Sequence, residues 1–219
     1  MAAKFSKSKD LFYQLGAGAL SIYDTTGALV RRFDDIRAGA GGFELDEAND
    51  TAYLVRSESN ESKLLSAISL ENGSSTSLGE IRDLKDIIGI SKVSDSIFYL
   101  VDQDGRLAEF NASTQSVTPV GWLANAVFNK DHYIFQTKGR SVSTLNKAKN
   151  KLYVTYGPNL AEVDLATKTM QLVNLTGGTQ LADISGLSFD PKYNILWATD
   201  SVLNSIVAIR DGTVLTVVR

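Results

Sequence analysis

The sequence predicts an all-β protein, a five-bladed β-propeller whose blades are four-stranded antiparallel sheets. The stretch from Gly186 to Val218 contains four short apolar segments separated by clusters of Asp, Asn, Gly and Pro. Such alternation is typical of consecutive antiparallel strands joined by tight turns. A second observation is an aromatic residue that recurs in five similar units, at Tyr13, Tyr53, Tyr99, Tyr153 and Trp197. Five units in 219 residues have about 44 residues each, and repeats of this length with four strands apiece indicate a propeller.

Each unit repeats the same order of segments. The first segments are AAKFS, GGFEL, IIGIS, SVSTL and SGLSF, and the second, aromatic segments are LFYQL, TAYLV, IFYLV, KLYVT and ILWAT. The third are ALSIYD, KLLSAISLE, RLAEFN, NLAEVD and NSIVAIR, and the fourth are ALVRRF, STSLG, SVTPVG, TMQLVN and TVLTVV. They predict one domain over 1–219, with blades at roughly 1–38, 39–82, 83–124, 125–180 and 181–219.

Two features of the repeat leave room for alternatives. A β-sandwich also has short strands and regular turns, but the fivefold register of the aromatic favours the propeller. The stretch NAVFNKDHYIFQTKGR is too short for another blade and is interpreted as an elaborated connection. Because AAKFS begins the first unit and TVLTVV ends the fifth, we expect every blade to consist of four consecutive strands.

The fifth unit also resembles a known class of repeats. FDPKYNILWATDSVLNSIVAI resembles the repeat of NHL and YVTN propellers, which reads roughly D-P-x-x-N-x-L-Y-V-x-D. SDSIFYLVDQDGRLAEFN and KNKLYVTYGPNLAEVDLATKT match it in part. The resemblance implies a propeller used for binding or scaffolding, although such folds also carry lactonases and other hydrolases.

Composition narrows the function classes. The chain has 219 residues, a formal net charge of −3 and no cysteine, which excludes disulfides, thiolate metal sites and cysteine nucleophiles. The acidic balance argues against a nucleic-acid partner. No apolar run is long enough for a membrane span, and MAAKFSKSKD lacks the apolar region of a secretory signal. The expected location is therefore the cytoplasm or an assembled particle.

The candidate binding residues are three aspartates, each followed by isoleucine, at Asp35, Asp86 and Asp183. Each precedes a predicted first strand, and in a propeller these connections lie on one face. Converging carboxylates would repel one another, which favours a Ca²⁺ ion or a sugar-like ligand with many hydroxyls. The alternative is that each aspartate accepts hydrogen bonds from its own loop.

Three other features are interpreted structurally. Asp102-Gln103-Asp104-Gly105 begins like a calcium loop, but Ser113 stands where such a loop needs glutamate, so a hairpin turn is predicted. The single histidine, His132, is predicted to lie in a surface loop. Five glycines are interpreted as turn or close-packing positions: Gly16, Gly18, Gly39, Gly41 and Gly42.

These observations favour a non-catalytic binding or structural module, a ring-shaped protein-interaction scaffold that could belong to a larger assembly such as a virion. The first alternative is a glycosidase-like or lactonase-like hydrolase that uses Asp35, Asp86 and Asp183, with Glu44 and Asp46 in reserve. The second is a sugar-binding, lectin-like propeller. No nucleophile or metal-ligand pattern in the sequence indicates catalysis.

Overall fold

The computed structural model describes residues 2–6, 8–16, 18–36, 38–57, 63–123, 142–177 and 180–218. Within these residues, twenty strands form five four-stranded antiparallel sheets, so the predicted all-β, five-bladed propeller class is confirmed. Each sheet consists of four consecutive strands, as expected. Five separate sheets also replace the two facing sheets that a β-sandwich would have. The long connection at 125–140 and His132 lie outside the described residues.

The strand bounds follow the predicted segments closely. The first sheet contains β1 (Ala2–Ser6), β2 (Leu11–Gly16), β3 (Ala19–Asp24) and β4 (Leu29–Phe33). The second contains β5 (Ala38–Asp46), β6 (Thr51–Ser57), β7 (Lys63–Ser69) and β8 (Ser75–Ile81). The third contains β9 (Ile87–Lys92), β10 (Ile97–Asp102), β11 (Arg106–Asn111) and β12 (Ser116–Trp122). The fourth contains β13 (Ser143–Asn146), β14 (Lys151–Tyr156), β15 (Asn159–Asp164) and β16 (Thr169–Leu172). The fifth contains β17 (Ile184–Asp190), β18 (Ile195–Asp200), β19 (Ser205–Arg210) and β20 (Thr213–Val218).

A repeated turn ends the first strand of several sheets. A side-chain oxygen of the last strand residue accepts a backbone N–H two or three residues later, and the residue four positions on is left-handed. The accepting residues are Asp46, Asn146 and Asp190, and the left-handed residues are Asp50, Asn150 and Asn194. Asn and Asp tolerate this conformation better than other non-glycine residues. The turn explains the Asp and Asn clusters that separate the apolar segments.

The chain divides into two compact units. The first comprises Met1–Leu100 and Glu109–Thr118. In it, one apolar cluster packs Tyr13 and Ile22 of the first sheet against Phe43 and Leu54 of the second. Another cluster joins the second sheet to β9 and β10, where the Tyr53 and Phe98 ring centroids lie 5.1 Å apart.

The second unit comprises Val101–Ala108 and Pro119–Arg219. Its apolar cluster packs Leu160 of β15 against Leu196, Val207 and Ile209 of the fifth sheet. The segment after β16 also joins the fifth sheet, because the Thr176 N–H donates to the Gly212 carbonyl at 2.9 Å.

The recurring aromatic occupies the same place in every sheet, in the second strand. Tyr13, Tyr53 and Tyr99 are buried, Tyr153 is half-buried, and Trp197 is 39% exposed. Of the singled-out glycines, Gly18 has φ of +76° in a turn, and a Cβ on Gly42 would lie 3.4 Å from the Ile88 carbonyl oxygen. Turn and close-packing roles are therefore confirmed at these two positions. No helix in the described residues is long and apolar enough to span a membrane.

Candidate functional site

The three candidate aspartates occupy different environments. Asp35 is exposed, with φ of +58°, and Asp86 is exposed just before β9. Asp183 is only 7% exposed, and its carboxylate accepts a hydrogen bond from the Ser201 hydroxyl. The first two residues belong to the first unit and the third to the second unit. Their convergence on one ligand stays a prediction.

Ca²⁺ is one of the two ligands predicted for these aspartates, beside a sugar-like molecule. Among the described residues, no three His, Cys, Asp or Glu side chains form a group that could hold a metal ion. Ca²⁺ also takes backbone carbonyls as ligands, so calcium at these positions stays a prediction. The hairpin predicted at Asp102 is confirmed, because its carboxylate accepts the Asp104 and Arg106 N–H groups at 3.0 Å across the turn.

Within the second unit, a crevice of about 300 Å³ lies between the fourth and fifth sheets. We call it the Tyr153 crevice. Its polar lining consists of Glu162, Gln171, Asn174, Asn194 and Asp211. Its apolar lining includes Tyr153, Leu160, Phe189, Leu196 and Ile209. The volume lies at the lower end of the range for small-molecule sites.

Strand register creates one wall of the crevice. Tyr153 on β14 pairs with Glu162 on β15, which in turn pairs with Gln171 on β16, so the three side chains form one row across the fourth sheet. Within this row, Gln171 Nε2 donates to Glu162 Oε1 at 3.5 Å. Lys151 forms an ion pair with the same Glu162 oxygen and offsets its charge.

The opposite wall comes from the fifth sheet. Asn194 and Asp211 occupy two turns, between β17 and β18 and between β19 and β20, with φ of +52° and +47°. Antiparallel connectivity puts these two turns at the same end of the sheet. Phe189 on β17 stacks on Tyr153, with ring centroids 6.0 Å apart and an interplanar angle of 30°. The crevice therefore combines an aromatic pair with carboxylate and amide groups.

The Tyr153 phenol is held in its neutral form. Burial raises its pKa, and the charge of Glu162 and a hydrogen bond with Glu162 raise it further; a hydrogen bond with Asn146 acts in the opposite direction. The result is a pKa of about 12. Tyr153 can therefore both donate and accept a hydrogen bond at neutral pH.

We expect absorbance titration to detect one tyrosine near pH 12 that is absent in Tyr153→Phe. Because its folded pKa lies above the ordinary value of 10.0, the stability that it contributes is complete below pH 10 and is lost as the pH rises through about 12. In Glu162→Gln the pKa should fall towards 10, since one cause of the rise is removed. A Tyr153 pKa unchanged by Glu162→Gln would contradict the assigned cause.

Between the second and third sheets, a lysine lies over the anchor tyrosine of the second sheet. Lys92 Nζ lies 5.1 Å from the Tyr53 ring centroid and 2.6 Å from Asp46 Oδ2. Burial lowers the pKa of Lys92, but hydrogen bonds to Asp46 and Asp95 outweigh it and raise the pKa overall. Between the first two sheets, Lys4 bridges to Glu44 at 2.6 Å. In the Tyr153 crevice the anchor tyrosine contacts the Phe189 ring, not a lysine.

Sequence reasoning missed this crevice, although it singled out Tyr153 as an anchor of the repeat. Its residues come from five separate segments, and nothing local marks them as neighbours. One usable signal exists in the third segments: NLAEVD has a glutamate opposite the aromatic, where the first, second and fifth units have Ile22, Ala67 and Ala208. RLAEFN has the same arrangement in the third sheet, where Tyr99 donates to Glu109 at 3.2 Å and both are buried.

Comparisons with known proteins give a fold. No protein family matches the chain, and no curated protein sequence matches it. An auxiliary nutrient binding protein from Bacteroides thetaiotaomicron VPI-5482 superposes with a TM-score of 0.67 and 12% identity, over 98% of this chain and 56% of that one. A chain of the nidogen/laminin complex superposes with a TM-score of 0.65 and 18% identity, over 92% of this chain and 73% of that one. The WD40 β-propeller domain of Doa1 superposes with a TM-score of 0.64 and 9% identity, over 99% of this chain and 67% of that one. The fold is that of a β-propeller.

These likenesses extend to the fold alone, because all three identities are low. The chain also spans only about half the length of the nutrient binding protein, 56%. The activities of such longer proteins therefore do not transfer to this chain.

Proposed function

We propose that this chain is a non-catalytic binding module and that the Tyr153 crevice is its site for a small polar ligand. The observation that carries the proposal is the open crevice itself, which sets five polar side chains around an aromatic pair. A concave site with an apolar base and a few convergent polar groups is the usual form of a ligand pocket. In the first unit, Lys92 Nζ lies 5.1 Å from the Tyr53 ring centroid, whereas Phe189 stacks on Tyr153 in the crevice.

The comparisons support a binding role in general terms. One structural neighbour is described as a nutrient binding protein, and another comes from a complex of nidogen with laminin. The resemblance of the fifth unit to NHL and YVTN repeats points to the same broad role. Protein partners therefore remain part of the proposal, as does membership of a larger assembly such as a virion.

The hydrolase alternative keeps the candidate acids predicted from the sequence. Asp183 already accepts the Ser201 hydroxyl, and Glu44 already pairs with Lys4. Both contacts suit a structural or ligand-orienting carboxylate. The binding role is therefore the one we put to the test.

A thermal-shift experiment tests the proposal. The probes are neutral mono- and disaccharides, the organic cations choline and arginine, and inorganic phosphate. A ligand at 100 times its Kd stabilises the folded state by about 2.7 kcal/mol, which corresponds to roughly 5 to 10 °C in Tm for a chain of this size. We expect at least one class to raise the Tm of the wild type and to have little effect on Phe189→Ala.

The matched control is Phe5→Ala, because Phe5 is 47% exposed and belongs to the first sheet. This variant should respond to the same probe as the wild type does. A panel in which no class raises the Tm, or in which Phe189→Ala responds as fully as the wild type, would overturn the proposal.

A further inference from the structure

The lining of the Tyr153 crevice suits one class of ligand better than others. We propose that it binds a neutral saccharide; this inference rests on the proposed function and names its ligand. Its hydrogen-bonding groups, its aromatic pair and its charge balance all favour such a ligand.

The amides supply the first part of the argument. Asn174 and Asn194 each offer a carbonyl acceptor and two N–H donors, and Gln171 offers its carbonyl and the N–H that does not bind Glu162. A sugar hydroxyl both donates and accepts, so vicinal hydroxyls can engage both ends of one amide. A guanidinium group only donates, a quaternary ammonium has no N–H to donate, and inorganic phosphate is mainly an acceptor. Three amides in one crevice therefore match hydroxyl groups better than either ion.

The aromatic pair supplies the second part. The faces of Tyr153 and Phe189 carry partial negative charge, and their rings lie within 30° of parallel. The C–H groups on one face of a pyranose carry a small positive charge and form a flat apolar surface. Leu196 and Ile209 extend the apolar lining beside these rings.

The charge balance supplies the third part. Lys151 offsets Glu162, so the row across the fourth sheet carries little net charge. Asp211 adds one carboxylate, for which the described residues contain no cationic partner. Two carboxylates repel phosphate, whereas a single uncompensated one gives a cation only a weak site at an exposed position. The hydroxyls of a neutral polyol can donate hydrogen bonds to these carboxylates, and the polyol brings no charge that they would repel.

The experiment measures binding of the neutral saccharides, choline, arginine and inorganic phosphate by isothermal titration and by NMR shifts of the Tyr153 and Phe189 rings. We expect at least one neutral saccharide to bind and to shift both rings. Asn174→Ala and Gln171→Ala should each weaken that binding by about threefold to tenfold, the worth of one hydrogen bond. Both side chains are exposed, so these variants should fold as the wild type does. Asn72→Ala, an exposed amide in the first unit, is the matched control and should not change the affinity.

The outcomes separate this inference from the proposed function. If choline, arginine or phosphate shifts the two rings and no saccharide does, the crevice is a ligand site and the saccharide assignment is wrong. If no probe shifts them, both proposals are overturned. Saccharide binding that survives Asn174→Ala and Gln171→Ala unchanged would also overturn the assignment, because it would bypass the amides.

Discussion

Replacing Phe43 with alanine is expected to lower the free energy of unfolding by about 3 to 5 kcal/mol. Phe43 is 1% exposed and belongs to the cluster that joins the first and second sheets of the first unit. Truncation removes the buried ring and leaves a cavity that the surrounding strands can fill only in part. Because a lone four-stranded sheet buries little apolar surface, the contact between neighbouring sheets should dominate stability. Urea denaturation followed by circular dichroism measures the change.

The matched control for this prediction is Phe12→Ala. Phe12 lies on β2 of the same unit but is 45% exposed, with its ring 4.6 Å from that of Phe5. Its truncation should cost about 1 kcal/mol or less, since nearly half of the residue already faces water. Equal losses in Phe43→Ala and Phe12→Ala would contradict the view that packing between sheets holds the first unit together.

The sequence predicted the sheets well because their signals are local. AAKFS coincides with β1, and the apolar segments around Tyr53 and Trp197 fall within β6 and β18. Turn residues such as Asp190 and Asn194 stand next to the strands that they end, so they mark strand bounds directly. Because the same strand and turn pattern recurs in five units, it is easier to recognise than in one unit alone.

The contacts between sheets could not be predicted from these local signals. Whether a lysine such as Lys92 or a ring such as Phe189 covers the anchor tyrosine depends on how side chains from distant segments meet. The burial of Asp183 depends in the same way on a partner, Ser201, that lies in the following hairpin. Short 3-10 turns at Glu47–Asn49 and Lys147–Lys149 arise from the capping side chains Asp46 and Asn146, which the repeat pattern did not reveal.

Replacing Asp200 with alanine is expected to destabilise the second unit by about 3 kcal/mol or more. Asp200 ends β18, is 2% exposed, and accepts four backbone N–H groups. Two come from the turn that follows, from Val202 at 3.0 Å and Leu203 at 2.9 Å. The other two come from the connection before β17, from Ala182 at 2.6 Å and Asp183 at 3.2 Å. A buried donor that loses its partner costs about 1 to 3 kcal/mol, and alanine removes the acceptor of all four at once.

Asp190→Ala is the matched control for Asp200→Ala. Asp190 ends the neighbouring β17 and accepts only the Lys192 and Tyr193 N–H groups in an exposed turn, so its loss should cost about 1 kcal/mol. Asp200→Asn keeps one carbonyl oxygen and should lie between the two alanine variants. Because Asp200 also holds the backbone of Asp183, Asp200→Ala should speed hydrogen exchange at the Asp183 amide, whereas Asp190→Ala should not. Equal stability losses in Asp200→Ala and Asp190→Ala, with Asp183 still protected from exchange, would show that the carboxylate of Asp200 does not organise this connection.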